Sequence, residues 1–281
     1  MAVTRSEKSG ADEARRLYLD LLKRALTHTL YWPLDQRAAE DYLEPDLVRQ
    51  AVADAIARGE LDLDSEQDLR KSREDGRDWP QFAQTMVGLR RLENVERCVE
   101  RVLTEEISGD LIEAGVWRGG VPIFMRGLLK AYGDRERVVF AADSFCGLPP
   151  PDPHQYPADE GDRFHTAQVL AVPLEEVERN FRLYDLLDDQ VRFLAGWFRD
   201  TLPRVRDQRW AVVRIDCDMY ESTMDALENL YPGLAVGGFV IIDDFVLDPC
   251  RQAVEDYRAD HGIDEPIEAV DWTGVFWRRA H

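Results

Sequence analysis

From Gly109 onward, short apolar runs alternate with stretches of helical periodicity. Asp110 to Val116 (DLIEAGV), Val138 to Asp143 (VVFAAD), Val191 to Ala195, Trp210 to Asp216 (WAVVRID) and Gly238 to Asp243 (GFVIID) read as strands. Their apolar residues are continuous rather than alternating, as expected where helices cover both faces of a sheet. Between them, 121–131, 174–187, 222–231 and 249–261 carry helical patterns, and 266–270 with 274–278 form a final strand pair. Regular strand–helix alternation predicts an α/β fold with a doubly wound, mostly parallel sheet.

Upstream the pattern is different. Residues 12–28 predict a helix on Leu17, Leu19, Leu21, Leu22 and Leu26, and 44–58 a second one. The mixed-charge stretch 62–78 has few large apolar groups and reads as a mobile surface segment. Trp79-Pro80 marks the return to order, followed by a helix over 88–105 with Leu89, Leu92, Val95, Val99 and Val102 on one side. At 281 residues the chain is long for one domain and short for two. It divides into a helical extension and lid over 1–80 and an α/β domain over 81–281.

Charge narrows the partners. Lys and Arg number 35 against 55 Asp and Glu, a formal charge of −20. Such a surface repels phosphate backbones and anionic membranes, and it favours cations, including a divalent metal or a sulfonium cofactor. The first eleven residues are polar, and no run approaches the roughly 20 apolar residues of a membrane span, so the expectation is a cytoplasmic protein. Cys98, Cys146, Cys217 and Cys250 show neither CxxC nor zinc spacing and read as reduced thiols.

Four strand ends carry candidate chemistry. Glu113-Ala-Gly115-Val-Trp117-Arg118-Gly119-Gly120 closes the first strand. Its glycines allow a sharp turn and close approach of backbone to a ligand, and Glu113 can meet a cationic one. The spacing is neither that of a dinucleotide fingerprint nor that of a phosphate loop. Asp143 ends the second strand, where an acid typically bonds ribose hydroxyls, or else caps a turn with Ser144. Asp216-Cys217-Asp218 follows the fourth strand and Asp243-Asp244 the fifth. Carboxylates gathered at the carboxyl ends of such strands repel one another, and a hard divalent cation such as Mg²⁺ relieves that cost. Asp216, Asp243 and Asp244 are the candidate ligands and Asp218 a candidate base. The competing reading makes Asp218 the cap of the helix starting near Tyr220, and Asp243 or Asp244 that of the next.

In these motifs, DLIEAGVWRGG (110–120), ADSFCGLP (142–149), GWFRDTLP (196–203), RIDCDMYEST (214–223) and GGFVIIDD (237–244), the chain resembles the macrocin O-methyltransferase family. The resemblance covers roughly 80–281. It implies a Rossmann-like class I methyltransferase sheet, seven-stranded and mostly parallel with a C-terminal antiparallel strand. It also implies S-adenosylmethionine and Mg²⁺ as cofactors and a sugar hydroxyl of a glycosylated natural product as acceptor. Carried over, Glu113 and Gly115, Trp117, Arg118 and Gly119 lie against the methionine part. Asp143, with Ser144 and Phe145, binds the ribose, and Gly196 and Trp197 flank the adenine. Thr85 and Met86, in the family-like TMVGLRRLENVE (85–96), cover the cofactor. Asp216, Asp243 and Asp244 hold the metal, Asp216 adjoining the cofactor, and Asp218 is the base. Cys217 stands where the family more often has a small residue such as Gly.

Methyl transfer destroys charge, so a closed, dry site is expected, with 59–78 and the Pro-rich loop 149–164 as lid candidates. His165, just after that loop, is structural or a second acid/base. A catechol-type methyltransferase using the same metal logic on a phenol is the alternative function. The leucine-rich first helix suggests a homodimer or a larger homo-oligomer.

Overall fold

The computed structural model describes residues 5–31 and 66–281. The helix expected over 44–58 and the segment 59–65 lie outside them. The first helix, α1, runs Arg5–Leu26, starting earlier than its leucines indicated. Next come α2 (Glu66–Asp75), α3 (Leu89–Thr104), β1 (Asp110–Ala114), α4 (Gly120–Tyr132) and β2 (Val139–Asp143). They are followed by α5 (Leu174–Leu183), β3 (Val191–Ala195), the short α6 (Phe198–Thr201), β4 (Trp210–Ile215) and α7 (Tyr220–Leu230). The chain ends with β5 (Leu234–Ile242), α8 (Asp248–His261), β6 (Glu268–Ala269) and β7 (Val275–Arg278).

The seven strands form one sheet in the order β3-β2-β1-β4-β5-β7-β6. β1 to β5 run parallel, and β7 pairs antiparallel with both β5 and β6. The order reverses between β1 and β4, and at such a switch point the strand ends open a crevice. Strand alternation sorts the core into two layers. Leu111, Val139, Val212, Phe239 and Ile241 face α1, α3, α4 and α5, whereas Ile112, Val213, Ile215, Val240 and Ile242 face α7 and α8. All six residues of β4 are buried, as a central parallel strand requires. One of them is Arg214, and the register sets it beside Glu113 on β1. Period two then puts Glu113, Arg214 and Asp243 on the α3 side of the sheet.

One expectation is corrected. Part of the stretch read as mobile, 66–75, is helix α2. It lacks an apolar stripe because a charged group anchors it. Arg73 is fully buried, donates to the carbonyl of Met86 at 2.8 Å and pairs with Asp78 at 3.1 Å. α1 docks directly on the α/β core, where Leu19, Leu22 and Leu26 are buried, and the missing side chain of Gly127 leaves room for Leu22.

Candidate active site

The carboxyl ends of β1, β2, β4 and β5 open on a cavity of about 320 Å³. Its walls include Thr85, Met86, Glu113, Gly115, Trp117, Asp143, Ser144, Trp197, Asp216, Asp218, Asp243 and Asp244. Thus most of the sequence-predicted site residues meet in one place. Arg118, Gly119, Phe145 and Gly196 do not line it. Arg118 donates instead to the carbonyls of Pro80, Gln81 and Ala83 and holds that segment against the turn. Gly119, left-handed at φ +84, starts α4. Phe145 points into the core against Phe193, and Gly196, at φ +136, turns the chain after β3.

The glycine turn is tightly specified. A Cβ on Gly115 would lie 1.7 Å from the Asp216 carbonyl oxygen, so only glycine lets β1 and β4 end side by side here. The Asp143 carboxylate clips the turn. Its Oδ2 accepts the Val116 N–H at 2.8 Å, and its Oδ1 accepts the Phe145 N–H at 2.8 Å. The turn-capping role is therefore real, and Asp143 faces the cavity as well. Burial holds its carboxyl above the usual range, against the pull of these amide donors.

Beneath the cavity floor lies a buried ionic network. Arg214, with no exposed surface, donates to Glu113, to Asp243 and, at 2.8 Å, to Asp216. Arg91 on α3 donates to the other oxygen of Asp243 and to the Gly76 carbonyl, and it pairs with Asp271 at 3.0 Å. Oε2 of Glu113 is buried without a hydrogen-bond partner, and Glu113 forms part of the cavity wall. Burial raises the Glu113 carboxyl to about 8 despite Arg214, with Asp216 and Asp243 adding to the rise. Arg91 and Arg214 were missed by the motif reading, although each left a signal. Arg214 interrupts an apolar strand, and Arg91 precedes Asn94, Val95, Cys98 and Val102 on the buried side of α3. A buried charge needs partners, so both positions pointed to an ionic cluster.

Above the network, Asp216, Asp243 and Asp244 each present a carboxylate oxygen, all within 4.8 Å of one another. Hard oxygen donors at that separation fit a divalent cation such as Mg²⁺. Burial, then neighbouring carboxylates, push Asp244 well up and Asp216 up, and Asp218 to about 8. Nine acidic and three basic side chains line the cavity, an excess that favours cationic ligands. The helix-capping alternative fails for these acids. Neither α7 nor α8 has a side-chain bond at its N-cap, which are Met219 and Leu247. Asp218 instead sits at φ +57 with its N–H donated to Asp244 at 3.1 Å. Cys217 is buried against the Ala114 carbonyl and does not have the positive φ that would call for glycine. His165 does not line the cavity, although its neighbour Phe164 does. The four cysteines are free, three of them buried.

The macrocin-O-methyltransferase (TylF) family model matches residues 15–279. A Streptomyces olivaceus protein described as an 8-demethyl-8-(2,3-dimethoxy-alpha-L-rhamnosyl)-tetracenomycin-C 4'-O-methyltransferase is 51% identical, over 95% of this chain and 94% of its own. The demethyldecarbamoylnovobiocin O-methyltransferase of Streptomyces niveus is 46% identical over 94% of this chain and 93% of its own. The solved structure of the O-methyltransferase NovP superposes with a TM-score of 0.81 at 45% identity, covering 95% of this chain and all (100%) of that one.

Proposed function

The chain belongs to the macrocin O-methyltransferase family, and from that premise we propose that it methylates a sugar hydroxyl of a glycosylated natural product, using S-adenosylmethionine and a divalent metal. The observation that carries this reading is the meeting of the Asp216, Asp243 and Asp244 oxygens beside Asp218, in a cavity that also holds Glu113 and Asp143. The names of the relatives support a glycosylated acceptor.

When bound, S-adenosylmethionine supplies the methyl group, and a cation held by Asp216, Asp243 and Asp244 supplies Lewis acidity toward the acceptor oxygens. The remaining work falls to the chain's own groups. The free oxygen of Glu113, with Gly115 and Trp117, holds the methionine part of the cofactor. Asp143 accepts from the ribose, Trp197 flanks the adenine, and Thr85 and Met86 close over it. Asp218 would take the proton of the acceptor hydroxyl and leave its oxygen free to accept the methyl group that bound S-adenosylmethionine would supply. Charge disappears in that step, so the enclosing walls assist by excluding water.

Mass spectrometry tests this after incubation with S-adenosylmethionine, Mg²⁺ and a panel of rhamnosides, other glycosides and catechols. The expected product carries one added methyl on its sugar fragment. A vicinal phenol offers the same pair of oxygens, so methylation confined to catechols would replace the sugar reading by a catechol-type one. For assembly, Leu17 and Leu21 stay exposed on α1, which supports a homodimer or a larger homo-oligomer. A monomer by light scattering would contradict that. Among the described residues no helix is long and apolar enough to cross a membrane.

A further inference from the structure

Asp159 has no exposed surface, yet none of the chemistry above uses it. It ends a short 3-10 turn, Pro157–Asp159, inside the Pro-rich loop that follows β2. Its Oδ1 accepts the N–H of Tyr220 at 2.6 Å and its Oδ2 the N–H of Glu221 at 3.0 Å. Those are the first two amides of α7, and the helix's own N-cap offers them no side chain. The first amides of a helix have no partner within it, and a carboxylate there also meets the positive end of the helix dipole. Asp159 thus caps α7 from another part of the chain, which frees Asp218 from that duty.

Asp218 needs such support. At φ +57, with the Met219 N–H turned back to the Cys217 carbonyl, it occupies the strained centre of a γ-turn. Such a conformation persists only where its surroundings over-determine it. Upstream, the Asp216 N–H is fixed to Ala114 of β1 at 2.8 Å. Downstream, the fixed point is the pair of bonds to Asp159. The same loop reaches the other half of the site, since Trp117 in the glycine turn donates from its indole to the Val169 carbonyl at 2.8 Å. Between these two tethers the loop presents Phe164 to the cavity.

We propose that Asp159 is a positioning residue: by capping α7 in trans it holds the Asp218 turn in its reactive geometry and locks the loop that faces the acceptor onto that turn. The proposal rests on the reading of Asp218 as base.

The test compares Asp159→Ala and Asp159→Asn with the native chain, and uses Asp218→Asn as reference. Four quantities are read: the S-adenosylmethionine dissociation constant by calorimetry, hydrogen exchange of the peptide spanning 216–224, and kcat and KM on the panel glycoside that the native protein turns over fastest. Asp159→Ala is expected to speed exchange at Tyr220 and Glu221 and to lower kcat about 100-fold, with cofactor affinity kept within about twofold. Asp159→Asn keeps one acceptor oxygen and is expected to recover kcat to within about tenfold of native. Unchanged exchange in Asp159→Ala, or native kcat there beside an inactive Asp218→Asn, overturns the proposal alone. Loss of cofactor binding in both Asp159 variants also overturns it, since the residue would then support the whole site. Native turnover in Asp218→Asn overturns the base reading, whatever the exchange data show.

Discussion

Arg91 and Asp243 are joined by a buried ion pair across 152 residues of sequence, which ties helix α3 to the end of β5. The same guanidinium reaches Gly76 and Asp271, so the wall of the cavity, its floor and one candidate metal ligand share a single cation. Removing Arg91 leaves the buried carboxylate of Asp271 without a cation and Asp243 with Arg214 alone. Arg91→Met is expected to cost about 3 kcal/mol and to lower Tm by roughly 6–12 °C. Arg91→Lys recovers part of that, because a compact ammonium lacks the planar fork by which three separate guanidinium nitrogens reach Asp243, Gly76 and Asp271. Thermal denaturation of the two variants beside the native chain checks this, and an unchanged Tm for Arg91→Met would show the pair to be dispensable.

Gly115 is the second test. A methyl group there collides with the Asp216 carbonyl, and φ of +85 strains any L side chain. Gly115→Ala is expected to lose about 3 kcal/mol or more and to abolish cofactor binding. Calorimetry on whatever folded protein survives reads the second effect directly. Native-like cofactor affinity would contradict this picture of the turn.

Much of this was legible in the sequence, for physical reasons. Largely apolar runs marked the parallel strands, because a strand covered on both faces has little polar face to show, and only the edge strand β3 is mostly unburied. Doubled acids after β4 and β5 marked the crevice, because like charges collect only where something offsets them. The cross-chain contacts were not legible. The bonds from Asp159 to the amides of Tyr220 and Glu221 span about sixty residues and follow no periodicity. Helix α2 lacks the apolar stripe that betrays a helix, since buried Arg73 is its anchor. Arg91 and Arg214 were visible as charges in apolar patterns, but the sequence did not say which carboxylates they meet.

A pH effect follows from Asp225 at the cavity rim. Burial first, then Glu221 and Glu228, raise its carboxyl to about 6. A folded value above the unfolded one means that the folded state holds the proton more tightly. This acid therefore costs no stability below about pH 4, and its cost grows as pH rises from about 4 to 6 and stays constant above. Asp225→Asn removes the charge. At pH 7.5 it is expected to raise Tm by about 2–4 °C, because solvent at the half-buried rim holds the gain to about 1 kcal/mol, and at pH 4 to change nothing. Equal melting of variant and native protein at both pH values would contradict the assignment.

The divalent cation is the centre of the proposed chemistry, and one measurement addresses it most directly: the initial rate of methyl transfer to the panel glycoside after chelation, followed through a Mg²⁺ titration. Metal-assisted transfer predicts a fall of about 100-fold or more in the stripped protein, recovery as Mg²⁺ is added, and no recovery in Asp216→Asn. A native rate in excess chelator would contradict the metal site and leave Asp216 and Asp243 as partners of the Arg91–Arg214 network and Asp244 as the acceptor of the Asp218 N–H.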